Sequence, residues 1–150
     1  MSPSEFFLRM QCGITGGFVP PSPSAVHTLS KASEQTHVLV ASAVRVDGGK
    51  SLSDADPKTL DVSGTSSTEL ALVDELHSIL TSIPTESPPG SEDIYGLDTS
   101  IAWQSNDIIW VNGSPSGCVR GKSTVQPSED EKAKFRRAVE VITELVAKAE

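Results

Sequence analysis

A chain of 150 residues, 37% hydrophobic and 21% charged, is long enough to bury one core without staples, and a single domain is expected. Its formal net charge of −8 excludes the basic stripe that nucleic-acid phosphates or an anionic membrane surface require, so neither is an expected partner. Two cysteines, Cys12 and Cys118, exclude a disulfide framework and are expected to be buried thiols.

The opening Met1-Ser2-Pro3-Ser4 has no basic start leading into an apolar run, so no signal peptide is expected there. No apolar run approaches the ~20 residues of a membrane span. A cytoplasmic protein is the expectation. Phe6, Leu8, Met10 and Cys12 alternate with Phe7, Arg9 and Gln11, the period of a strand with one buried face. After an irregular segment rich in Gly and Pro, the run Ala25 to Leu29 reads as a second strand returning antiparallel to the first.

The run His37 to Val46 is the third strand, supported by its β-branched content, with Val38, Val40, Ser42, Val44 and Val46 sharing one face. From about 47 to 65 the chain is polar and carries Asp47-Gly48-Gly49, Pro57 and Gly64, which reads as a surface insertion. Ser66 and Glu69 then stand at capping-box spacing before a helix whose apolar face is Leu72, Val73, Leu76, Ile79, Leu80 and Ile83. Pro84 stops it, and Glu86 to Glu92 reads as a linker without packing capacity.

Tyr95, Leu97, Thr99, Ile101 and Trp103 share one parity, and Ile108 to Val111 resumes the extended pattern. The two runs predict a hairpin with Trp103 and Trp110 in the core or on the sheet face. A long loop follows, from about 112 to 127. Ser128 and Glu131 repeat the capping-box spacing before a last helix striped by Phe135, Ala138, Val139, Ile142 and Val146. The charges around Arg136, Arg137 and Glu140 read as its solvated side. These elements predict an α+β domain, a mostly antiparallel sheet of about four to five strands with two helices packed on one face.

The chemical signals point away from catalysis. Gly117-Cys118-Val119-Arg120-Gly121-Lys122-Ser123-Thr124 imitates a phosphate-binding loop, but only three residues separate its glycines and Ser116 stands where the first glycine belongs. Val125-Gln126-Pro127 also part it from the helix start that would complete an anion site. His27, His37 and His77 are scattered without metal-ligand spacing. No Gly-x-Ser-x-Gly elbow marks a nucleophile. Neither a catalytic residue, a metal nor a cofactor is expected.

The remaining feature is Gly13-Ile14-Thr15-Gly16-Gly17-Phe18-Val19-Pro20-Pro21-Ser22-Pro23. Its glycines free the backbone and its prolines stiffen the exit, while Ile14, Phe18 and Val19 are bulky apolar groups in a segment too broken for a strand or helix. One reading is a wide turn that tucks Phe18 into the core. The other is a stiff apolar projection that meets a partner, since a rigid loop loses little entropy on docking.

The order of features resembles the emfourin family, small intracellular protein inhibitors of thermolysin-type metalloproteases. The resemblance rests on the opening strand running into Gly-Gly-Phe at Gly16-Gly17-Phe18, the helix with Leu72-Val73-Asp74-Glu75-Leu76, the aromatic hairpin from Asp93-Ile94-Tyr95 onward and the closing helix. The insertion near 47–65 and the long loop before the last helix depart from the family's pattern. The resemblance implies a competitive block of a zinc protease's cleft, with Ile14, Thr15, Gly16, Gly17, Phe18 and Val19 as the partner-binding segment. The alternative is a non-enzymatic protein-interaction module with no protease target.

Overall fold

The structure, a computed structural model, describes residues 5–12, 25–45, 52–54, 57–62, 68–87, 94–112 and 123–149. Among these, seven strands form one antiparallel sheet and two helices pack on one of its faces, an α+β fold. The strands are β1 (Phe6–Cys12), β2 (Ala25–Lys31), β3 (His37–Arg45), β4 (Leu52–Asp54), β5 (Lys58–Asp61), β6 (Thr99–Ser105) and β7 (Ile109–Val111). The order across the sheet is β4-β3-β2-β1-β6-β7, and β5 also pairs with β3. β1 is therefore interior, with β2 on one side and β6 on the other along its whole length.

The alternation in β1 does what the period predicts as far as Met10; beyond it Gln11, of the other parity, is buried as well and Cys12 only partly. Phe6, Leu8 and Met10 turn to the helices and are buried, while Phe7 turns to the opposite face and is exposed. Register carries that division across the sheet, so Leu29, Val38, Val40, Ile101 and Trp103 join the core. The open face carries a row of registered neighbours, Leu39–Ser30–Phe7–Gln104–Ile109.

The strand count exceeds the four to five expected because the polar stretch near 47–65 contributes β4 and β5. Their sequence is short and polar; Leu60 of β5 is buried, as is Val62 just beyond. Pairing with β3 passes from Ala43↔Asp54 on β4 to Val40↔Lys58 on β5, and Pro57 stands just before β5.

Helix α1 (Thr68–Leu80) buries Leu72, Val73, Leu76 and Leu80. The cap read at Ser66 lies outside the described residues. The helix stops through side chains that return to its own carbonyls: Thr81 Oγ1 donates to Ser78 O and Ser82 Oγ to Ile79 O, both at 2.8 Å. Helix α2 (Glu129–Lys148) starts as its sequence spells out. Ser128 Oγ accepts from Glu131 N at 3.2 Å, and Glu131 Oε1 accepts from Ser128 N at 2.8 Å. Phe135, Ala138, Val141, Ile142 and Leu145 are its buried stripe. Arg137 is not a purely solvated charge, since it forks onto Glu75 of α1 at 2.6 and 3.0 Å. That bond holds the Glu75 carboxyl below its usual range.

Two expectations fail between the helices. Tyr95 and Leu97 are not strand residues. Gly96 at φ 71° and Asp98 at φ 55° break the extension, so the strand begins only at Thr99. Tyr95 instead turns inward, stacks on Phe135 at 4.2 Å and donates its hydroxyl to Pro84 O. The start of the presumed linker is also built into the fold. Glu86 is buried, Ser87 N donates to Ser123 Oγ at 2.9 Å, and Thr124 N donates to Ser87 O at 2.8 Å.

Candidate functional site

Ile14, Thr15, Gly16, Gly17, Phe18 and Val19, the residues singled out from the sequence, all lie outside the described residues. What the structure describes is the frame that holds them. The chain leaves β1 at Cys12 and re-enters the sheet at Ala25, and these two residues are register partners. Cys12 is paired on its other side with Thr99. Both ends of segment 13–24 are thus fixed on neighbouring interior strands.

The same end of the sheet receives two further connections. β3 ends and β4 begins at the pair Arg45↔Leu52, two strands from Cys12, so segment 46–51 leaves there. β7 runs upward to Asn112, beside Ile101, and segment 113–122 follows. The opposite end is closed by the short connections 32–36 and 106–108. Antiparallel hairpin topology is what brings Cys12, Ala25, Arg45, Leu52 and Asn112 to one rim.

At this rim Asn112 replaces ladder bonds with its side chain. Its Oδ1 accepts from Ile101 N at 2.7 Å and its Nδ2 donates to Thr99 O at 3.1 Å. Ser100 Oγ donates to Asn112 O at 2.6 Å. Cys12 is half-buried there, and burial pushes its thiol pKa up, against a hydrogen bond from Thr99 that lowers it. A thiol shifted that way is a poor nucleophile at neutral pH.

A second polar cluster, for which the sequence gives no sign, lies at the far end. Trp103 Nε1 donates to Ser105 Oγ at 3.0 Å, and Ser105 Oγ donates to Asp107 Oδ1 at 2.5 Å. His77 Nε2 meets Asp107 Oδ2 at 2.8 Å from thirty positions away in the chain. Serine, aspartate and histidine are all present, but the carboxylate stands between the other two. A nucleophile needs the imidazole beside its hydroxyl. This order instead ties the end of α1 to the β6–β7 turn. The Ser105 hydroxyl, and secondarily His77, hold the Asp107 carboxyl below its usual range.

The segment that imitates a phosphate loop has its Lys122 outside the described residues, and the described part is committed elsewhere. Ser123 Oγ accepts from Ser87 N and from Val125 N, both at 2.9 Å. At the start of α2 the amides of Ser128 and Glu131 are taken up by the capping box. Among the described residues no group of three or more His, Cys, Asp or Glu is arranged to hold a metal, and no helix is long and apolar enough to cross a membrane.

Comparison with protein-family models, curated proteins and solved structures finds no match for this chain.

Proposed function

We propose that this chain is a non-catalytic protein inhibitor of a thermolysin-like zinc metalloprotease, and that it enters the protease cleft with residues 14–19. Three lines support the reading. The order of motifs resembles the emfourin family. The segment combines freely bending glycines, stiffening prolines and the bulky apolar groups Ile14, Phe18 and Val19. The observation that carries the reading furthest is the pairing of Cys12 with Ala25. It closes the segment on two hydrogen-bonded interior strands, so its ends lose no freedom when it docks.

On this reading the zinc belongs to the protease and the chain needs no cofactor. One of Ile14, Phe18 or Val19 fills the apolar pocket beside the metal, and Gly16 and Gly17 let the backbone approach closely. Inhibition is competitive. The test is the inhibition constant of the full chain against a panel of thermolysin-like proteases, measured again for Phe18→Ala and Ile14→Ala. Losing a buried anchor is expected to raise that constant by about tenfold or more in one of them. Unchanged potency in both removes this segment from the mechanism. No inhibition across the panel leaves the protein-interaction module without a protease target.

A further inference from the structure

We propose that the open face of the sheet is a self-association surface, on which a second copy of this chain packs about a two-fold axis lying along the row through Phe7. The row Leu39–Ser30–Phe7–Gln104–Ile109 crosses five strands. Its three apolar members are exposed by 51% (Leu39), 45% (Phe7) and 71% (Ile109). Isolated apolar groups on a surface are ordinary, but three in one registered row make a flat strip that a facing sheet can cover.

The charges decide the occupant. Phe7 is flanked by Glu5, exposed just before β1, and by Arg9, which shares its face of the strand. Each lies two residues away, about 7 Å along the strand. A two-fold axis along the row reverses the strand direction and leaves each strand over its own copy. Phe7 then meets Phe7, Leu39 meets Leu39, and Ile109 meets Ile109. Arg9 of each copy faces Glu5 of the other, giving two symmetric ion pairs from one sequence motif.

The surroundings fit an incoming arginine. Arg9 stands between the small neighbours Thr28 and Ala102, leaving its side chain room to lean outward. A cavity of about 410 Å³ opens at the Glu5 end, lined by Glu5, Phe7, Gln104 and Asn106 and also by Lys31. Beside that ammonium it offers the facing guanidinium a carboxylate and two side-chain amides. At the upper end of the face Gln11 and Ser100 are already buried, so the free area is centred on the Phe7 row.

A strip about 20 Å on a side is roughly 400 Å² per copy, at the small end for protein interfaces, so the dimer is weak and concentration-dependent. Sedimentation velocity of the full chain, followed up to about 1 mM, is expected to show a reversible monomer–dimer equilibrium. Arg9→Glu and Glu5→Arg each set like charges against one another twice, and each should weaken the dimer by about tenfold or more. The double variant Glu5→Arg/Arg9→Glu re-creates both pairs with the signs exchanged and should recover the affinity to within about threefold. Circular dichroism checks that each variant is folded, and the exposed Glu5 keeps the test alive if Arg9→Glu is not. A chain that stays monomeric throughout overturns the proposal and leaves the face to a different partner. So does a dimer that ignores the folded single reversals, or one that the double exchange fails to restore.

Discussion

Phe6 and Phe7 are neighbours in sequence and alike in chemistry, yet they stand on opposite sides of β1. Phe6 is 5% exposed and stacks on Trp103 at 4.8 Å with an interplanar angle of 6°, beneath the helices. Phe7 is 45% exposed on the face that no described helix covers. The two faces divide the work of the molecule. The covered face holds the aromatic core of Phe6, Trp103, Tyr95, Phe135 and Trp110, while the open face leaves Phe7, Leu39 and Ile109 exposed.

The sharpest way to break that comparison is to truncate both phenylalanines. Phe6→Ala removes a buried ring and leaves a cavity against Trp103, with an expected loss of about 3–5 kcal/mol. Phe7→Ala should cost about 1 kcal/mol or less, because half the ring is already in water. Urea unfolding midpoints of the two variants measure the difference. Equal losses would mean that the open face is as much a part of the core as the covered one.

This division was legible from the sequence wherever a simple period ran long enough. The alternation from Phe6 to Cys12 marked the strand and, as far as Met10, its buried side, and Ser128 with Glu131 marked the start of α2 to the residue. What escaped has physical causes. Strands β4 and β5 are three and four residues long, too short for a period to show, and they owe their existence to pairing with β3. The parity from Tyr95 to Trp103 continued through a place where Gly96 and Asp98 take positive φ, which no alternation of polarity reports. Glu86 looked like linker because nothing in the local pattern marks it for burial, and nothing local marks the meeting of His77 with Asp107, thirty positions apart. Of the candidate site, composition singles out residues 14–19, which lie outside the described residues, and composition does not encode how Ile14, Phe18 and Val19 pack.

A smaller effect is expected at Asn112, where the edge strand β7 is held by a side chain more than by length. Asn112→Ala strips the acceptor from Ile101 N and the donor from Thr99 O, both buried, and should cost about 1–3 kcal/mol. Amide hydrogen exchange at Ile101 should rise with it, while Phe6 and Leu8 on β1 stay protected. A loss spread evenly over the whole sheet would show that β7 is no separate edge but part of one cooperative unit.

The smallest effect lies where the covered face runs out. His27 has the parity of Leu29, pointing toward the helices, yet it is only half-buried, and its Nδ1 lies 2.8 Å from Ser42 Oγ. Burial lowers its pKa, so the folded state resists the proton that the unfolded chain accepts near the ordinary value of about 6.5. The unfolded state therefore binds more protons as pH falls below that value. The stability His27 contributes is present above about pH 6.5 and is lost as pH drops through the lower, folded-state value. The carboxyls of Glu75 and Asp107 are also depressed and also destabilise the fold on acidification, but only below the carboxylate range of about pH 4.5. The two windows separate cleanly. His27→Gln should flatten the fall in stability between about pH 7 and pH 5 and leave the steeper fall at lower pH unchanged. An unaltered slope in the upper window would place His27 in water in the folded state, and on β2 the covered face would then end at Leu29, the partner of Leu8.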